Sequence, residues 1–310
     1  MVGLSERLQL GLVGAGPWAR GFTASMLAAS ADADFVGVWA RRPEAARELA
    51  AVHGTRAYDD LDELFEQCEA VTFSVPPWVQ AQLAARAASA GKAVLLDKPV
   101  GGNLAEAEGL AEAIDSAGVV SQVILTNRYT DPMRSFLEAA TQFDAYGGRA
   151  SFFGNGGLAG TYFGTPWRIA EGGLLDLGPH VLDALDASLG PIRAIEASGD
   201  VHRLVLLECE HANHRVSQAA LSATTNHAGA LVVELYGLEG RLHLDLTTRT
   251  QAQRDADSAT AKARIVAELA ACVRSGTDHP LDVHRGVYLQ RLIDDAARQL
   301  GVRSSRRAED

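Results

Sequence analysis

The chain has 310 residues, 47% of them hydrophobic, and a formal net charge of −11. That length suits about two domains with sizeable cores, and the composition is globular rather than disordered. The acidic balance works against nonspecific binding of nucleic acid or an anionic membrane.

The three cysteines, Cys68, Cys209 and Cys272, are odd in number and form no CxxC pair. This fits a reducing cytoplasm and argues against a disulfide frame or a metal site. Residues 1–9 lack the apolar core of a signal peptide, and no apolar run reaches the roughly 20 residues of a membrane span. The expected location is therefore cytoplasmic. The polar stretch 303–310 is expected to fray.

The first apolar run, Leu8 to Val13, is short enough for a buried strand and stops at Gly14. Gly14-Ala15-Gly16-Pro17-Trp18-Ala19 follows. Here Gly14 permits a tight turn with positive φ, and Gly16 lets a pyrophosphate approach the backbone. Ala19 is small enough for helix to pack on strand. Pro17 suits a first helical turn. The alternative is a glycine turn without a ligand.

A helix is expected from Trp18 to Ser30 and a strand from Phe35 to Trp39. Arg41 and Arg42 stand at the end of that strand, where an NAD site usually has Asp or Glu for the ribose 2′-hydroxyl. Two guanidinium groups suit a 2′-phosphate instead, and NADP is favoured over NAD on this ground. The other reading is two solvated arginines.

Next come a helix from Pro43 to Val52, a short helix within Tyr58 to Phe65, and a strand from Ala70 to Val75 ended by Pro76-Pro77. A helix from Trp78 to Ala90 and a strand from Ala93 to Leu96 follow. Asp97-Lys98-Pro99 then falls at a strand's carboxyl end, where open α/β sheets bind ligands. A surface lysine is the competing reading. Asn103 caps a helix through Ala117, and Val119 to Thr126 is one more strand. Strands alternating with helices imply a doubly wound, mostly parallel sheet.

The pattern then changes, near residue 125. A helix is expected over Asp131 to Ala140. Extended runs follow at Arg149 to Phe153, Ile192 to Ala197, Arg203 to Cys209, Val216 to Ala223, Ala230 to Tyr236 and Arg241 to Leu246. Short turns between successive strands favour a largely antiparallel, open sheet. Its alternating face is either solvated or meets another subunit. Helices over Ser258 to Arg274 and Val283 to Leu300 close the chain.

Between the patterns lies Trp167-Arg168-Ile-Ala-Glu-Gly172-Gly173-Leu-Leu-Asp176-Leu-Gly178-Pro179-His180. Asp176 and His180 are four apart, so on a helix their side chains share a face. A carboxylate beside an imidazole orients it for proton transfer. The glycines allow close backbone approach to a ligand. The alternative is a helix cap and a satisfied core histidine.

Taken together, Gly14 to Ala19, Ser74-Val75-Pro76-Pro77, Asp97-Lys98-Pro99, Asn127-Arg128-Tyr129 and Gly172-Gly173 through Asp183 resemble the Gfo/Idh/MocA oxidoreductases. The resemblance spans nearly the whole chain. It implies a Rossmann domain over residues 1–124 that binds NADP or NAD. It further implies an α+β domain over 125–310 that holds the substrate and forms the contacts of a homodimer or homotetramer.

Lys98, Asp176 and His180 map onto the family's active-site residues, and all three face a small-molecule substrate. The cofactor set it implies is Gly14, Ala15, Gly16, Pro17, Trp18, Ala40, Arg41, Arg42, Ser74, Val75, Pro76, Gln80, Asp97, Lys98, Asn127, Trp167 and Arg168. Asn127 and Tyr129 are further candidates for the substrate wall, and no metal is implied. Asp97 in place of a usual Glu is a mild departure; the two that matter are Gln80, which replaces a histidine that often lies near the cofactor, and a C-terminal domain expected to be shorter than in many members. The activity implied is hydride transfer at a secondary alcohol of a sugar, polyol or related compound. Two other readings stay open, a redox-assisted glycoside hydrolase with tightly held NAD and a non-catalytic nucleotide-sensing regulator.

Overall fold

A computed structural model describes residues 7–226 and 229–302. The stretch 303–310, expected to fray, lies outside the described residues, as do residues 1–6. The chain divides into two compact units. One comprises residues 1–129 with 258–287, the other 130–257 with 288–310. The first cut falls a few residues beyond the 124/125 boundary read from the sequence. The single cut is incomplete, however, because 258–287 returns to the first unit.

The first unit opens with β1 (Leu8–Val13) and the Gly14 turn. Helical residues 17 and 18 lead into a wide π-type turn, Ala19–Thr23, and then α1 (Ala24–Ala28). A regular helix was expected over this stretch. The rings of Trp18 and Phe22 stack across the wide turn at 4.4 Å. There follow β2 (Ala33–Trp39), α2 (Pro43–His53), β3 (Ala57–Tyr58), α3 (Leu61–Glu66), β4 (Ala70–Phe73), α4 (Pro77–Ser89), β5 (Ala93–Asp97), α5 (Leu104–Ala117) and β6 (Ser121–Ile124). The caps follow from sequence. Asn103 accepts from the Glu106 N–H at 2.9 Å while Glu106 reaches back to Asn103 Nδ2 and Gly102 N, and Gly118 ends α5 at φ 62°.

All six strands are parallel in the order β3-β2-β1-β4-β5-β6. The core lies on the central strands, since Leu10, Leu12, Val71, Phe73, Val94 and Leu95 are fully buried. Parallel strands place the loops after β1, β2, β4, β5 and β6 at one edge. The order reverses between β1 and β4, the switch point at which such sheets bind ligands.

The second unit begins with α6 (Asp131–Gln142) and β7 (Ala145–Phe153) and continues through α7 (Pro166–Leu189). It then runs through β8 (Ile192–Gly199), β9 (Val205–His211), β10 (Val216–Ser222), β11 (Ala230–Gly237) and β12 (Gly240–Asp245). The sheet order is β12-β11-β7-β10-β9-β8. It is antiparallel except where β7 runs parallel to β10. The return helix α8 (Gln251–Ser275) joins the first unit from Ser258 onward, and the division between units falls within α9 (Val283–Gln299).

One face of this sheet packs on α7, whose residues 172–179 are all buried. The other face leaves Tyr146 and Val216 61% and 62% exposed, and holds a basin of about 720 Å³ lined by Arg149, Glu196, Glu208, Gln218 and Glu234 among others. Glu234 is bonded by Arg149 and, at 2.6 Å, by Arg241. The Arg149 guanidinium, more than its neighbour, holds the Glu234 carboxyl below the usual range.

The three cysteines are free thiols. Burial pushes Cys68 and Cys209 up to about 12, which makes both unreactive at neutral pH. Among the described residues no helix is long and apolar enough to cross a membrane, and no group of His, Cys, Asp and Glu could hold a metal ion.

Candidate functional site

The carboxyl edge of the parallel sheet is built around Gly14. Its φ is +117°, and a Cβ there would stand 2.4 Å from the Ser74 carbonyl oxygen. Only glycine fits. The turn is tied on both sides, with Gly14 N donating to Trp39 O at 2.8 Å and Ser74 N donating to Val13 O at 2.8 Å. Ser74 Oγ bonds Thr23 Oγ1 at 2.8 Å, which joins the β4 loop to the helix after the turn. Gly16 differs from Gly14, because a Cβ there would meet nothing within 4 Å. The backbone at Gly16 therefore faces open space at the switch point, and a pyrophosphate fits that cradle. Ala19 is fully buried, as close packing of helix on strand requires.

Arg41 and Arg42 follow β2, just past the buried Ala40. Both are exposed. Pro76 precedes α4 at φ −55°, and Val75 lies beside Gly14. Lys98 is half-buried directly after β5, and its peptide bond to Pro99 is cis. Asp97 Oδ1 accepts from Lys98 N at 2.8 Å. Asn127 lies half-buried in the 3-10 turn Thr126–Tyr129 after β6.

Two expected contacts are corrected here. Gln80, read as touching the cofactor, is 1% exposed, and its amide binds backbone on either side of Lys98. It has no donor left for a ligand. Tyr129, read as part of a substrate wall, is fully buried. Its hydroxyl donates to Val123 O at 2.9 Å and accepts from Gln122 Nε2, and its ring stacks near His279. It is a core residue of the first unit.

In the second unit, α7 is two helices joined at Gly172, which has φ 76° and ψ −169°. A Cβ on Gly172 would stand 2.3 Å from Val201 O, and Gly173 N donates to that oxygen at 2.7 Å. Gly173 also faces Ala223 N, and Gly178 faces Leu174 and Ile293. These glycines admit close approach, as expected, but what approaches is the protein's own chain.

The break aims the two halves of α7 differently and sets Arg168 beside Asp176, with Nε to Oδ1 3.2 Å. Both are buried, at 8% and 5% exposure. Arg168 also lies over the Trp167 ring at 4.5 Å and the Phe163 ring at 6.0 Å, and reaches Thr165 Oγ1. Arg168 was read as bordering the cofactor. Its Nε–H is spent on Asp176.

His180 follows one turn after Asp176, half-buried, with its ring 5.8 Å from Phe152. Asp176 and His180 thus share a helical face, as their spacing implied. The sequence reading missed Phe163 and Gly156, where a Cβ would come 3.4 Å from Asp176 Oδ2. The available signal was an aromatic five residues before Arg168 in a glycine-rich stretch.

The order of the parallel sheet and the glycine cradle at its switch point define a dinucleotide-binding α/β unit. Residues 8–125 match the model of the GFO_IDH_MocA oxidoreductase family, an NAD-binding Rossmann fold. Among curated proteins it is similar to trans-1,2-dihydrobenzene-1,2-diol dehydrogenase of Bos taurus, 30% identical over 190 residues, 59% of this chain and 56% of the relative. Glucose-6-phosphate 3-dehydrogenase of Bacillus subtilis is 25% identical over 184 residues, 56% of this chain and 52% of the relative. The chain thus spans little more than half the length of these relatives. The crystal structure of GenD2 from gentamicin A biosynthesis in complex with NAD shares the fold at a TM-score of 0.82. Its identity is 23%, with 96% of this chain and 95% of that one covered.

Proposed function

We propose that the protein is an NAD(P)-dependent dehydrogenase or reductase acting on a CH–OH group of a sugar, polyol or cyclic diol. The observation that carries this reading is the turn after β1, where Gly14 can only be glycine and Gly16 opens onto free space. The names of the bovine and bacterial relatives, a diol dehydrogenase and a sugar-phosphate dehydrogenase, supply the substrate class.

Residues Gly14 to Trp18 would hold the pyrophosphate, Ala40 to Arg42 the adenosine ribose, and Ser74 to Pro76 with Asn127 the approach to the nicotinamide. When bound, the nicotinamide supplies the hydride acceptor or donor, and the protein supplies orientation and charge. In the oxidation direction His180 takes the hydroxyl proton at an imidazole nitrogen. Lys98 donates a hydrogen bond to the reacting oxygen and stabilises its developing negative charge. Asp176, held by Arg168, keeps a carboxylate one helical turn from the imidazole.

The test is a panel of sugars, inositols and cyclic diols with each nicotinamide, followed by absorbance of the reduced cofactor. Turnover of none, with no nicotinamide binding, would overturn the reading.

NADP is the favoured cofactor, because the exposed pair Arg41-Arg42 replaces the acid of an NAD site. The NAD in the GenD2 structure points the other way for that protein. Changing both arginines to alanine is expected to weaken NADP(H) about 10–100-fold and NAD(H) less than about 3-fold, since hydrogen bonds to charged groups contribute roughly 1.5–3 kcal/mol. Equal weakening, measured by fluorescence titration, would set the NADP preference aside.

The uncovered face of the second sheet, with Tyr146 and Val216 exposed, supports a homodimer or homotetramer. Light scattering in solution is expected to give a multiple of the 32.8 kDa chain mass. A monomer mass at micromolar concentration would remove this part of the reading.

A further inference from the structure

Gln80 is buried on α4, and its amide reaches the backbone on both sides of Lys98. Nε2 donates to Asp97 O at 2.8 Å and to Pro99 O at 3.2 Å, while Oε1 accepts from Asp97 N at 2.8 Å. A primary amide offers two N–H donors and one carbonyl acceptor. Here both donors and the carbonyl are engaged. Lys98's own N–H is held by the Asp97 carboxylate at 2.8 Å. The peptide groups that carry the lysine are thus fixed before and after it, while its side chain remains half-buried.

No other side chain reproduces this set. Glutamate has the carbonyl but no N–H for the two backbone oxygens. A neutral imidazole has one donor and one acceptor, and asparagine is one methylene short.

We infer that Gln80 is a positioning residue for Lys98, fixing the loop from which the ammonium is presented to the reacting oxygen. This rests on the reading of Lys98 given above. A side chain that only stabilised the fold would couple to Lys98 no more than to any other residue. A positioning residue loses its effect once the lysine is gone.

The experiment uses the full chain with Q80E, Q80H, K98M and the Q80E/K98M double variant. A diol or sugar found active in the panel and NADP(H) serve as probes. Amine labelling read by peptide mass spectrometry gives a measure independent of turnover. The chain has three lysines, Lys92, Lys98 and Lys262, so two act as internal references.

Q80E is expected to lower kcat about 10–100-fold with KM changed less than about 3-fold, as a small misplacement of a catalytic group would. Q80H should fall between Q80E and the unaltered chain. The labelling rate at Lys98 should shift relative to Lys92 and Lys262. In the K98M chain, Q80E should have no further effect on residual kcat.

An equal kcat loss in both backgrounds, or Lys98 labelling that follows the reference lysines, would overturn the proposal and leave Gln80 a structural role. If K98M retains full activity, the reading of Lys98 fails by itself. The labelling arm still decides whether Gln80 controls the lysine. If Q80E does not fold, Q80H carries the same comparison.

Discussion

Replacing His180 with asparagine is expected to lower kcat about 10²–10⁴-fold, the range over which a positioned general base contributes. NADP(H) affinity should stay within about 3-fold, because the loss is of a group acting on the reacting proton rather than on the ground-state complex. Asparagine keeps a polar atom at the place of the imidazole Nδ1 and is smaller than the ring, so this half-buried position beside Phe152 takes it without overpacking. It cannot accept the proton. Steady-state kinetics with cofactor titration reads both quantities. A kcat within a few-fold of the unaltered protein would remove His180 from the chemistry.

The second large effect concerns stability. Arg168 and Asp176 form a buried ion pair, and removing either partner takes from the other the opposite charge at 3.2 Å. Arg168→Leu or Asp176→Leu alone should destabilise by about 3–5 kcal/mol, because the remaining ion still bears its desolvation cost. For a unit of this size that corresponds to a melting temperature lower by roughly 6–20 °C. The double variant should recover most of the loss, since a buried pair replaced by apolar groups is often close to neutral. A thermal-melt double-mutant cycle measures the coupling. Strictly additive losses would show that the two charges are not each other's main support. The double variant should remain inactive even if stable, because Asp176 would no longer stand one turn from His180.

Most of the first unit is legible in its residues. Gly14 and Gly16, Asn103 with Glu106, and Gly118 each meet a demand of local geometry, and local geometry is what sequence spacing encodes. Five of the six strands of the first half appear as apolar runs because a parallel sheet is buried on both faces, and the two-residue β3 is too short to show. The pair Asp176 and His180 was equally readable, since a separation of four on a helix fixes a shared face.

What stayed hidden depends on partners far away in the chain. Gln80 and Tyr129 look like site residues because they are polar and lie near site motifs. Their side chains are consumed by backbone at 97, 99 and 123. Gly172 and Gly173 declare a close approach but not what approaches, which proved to be Val201 and Ala223. The parallel pairing of β7 with β10 is likewise invisible to a reading of successive hairpins. It arises because β7, first in sequence, is inserted between β10 and β11. The helix expected over Ser258 to Arg274 does not say which core receives it.

That return of α8 has a consequence for how the protein is made. Gln122, at the heart of the first sheet, donates to the Ile265 carbonyl 143 positions later. Val283 N bonds Ser121 Oγ, and Leu281 O accepts from Val123 N. On the ribosome, the nucleotide-binding sheet has all six strands in hand by Ile124, yet β6 waits for partners still to be translated. At about 5–20 residues per second the delay is roughly 10–30 s. During that interval Tyr129, Gln122 and the outer edge of β6 face water or a chaperone. A fragment cut after Tyr129 would inherit that state permanently, so the natural minimal piece for expression is not the N-terminal half but the chain through α8 and the start of α9.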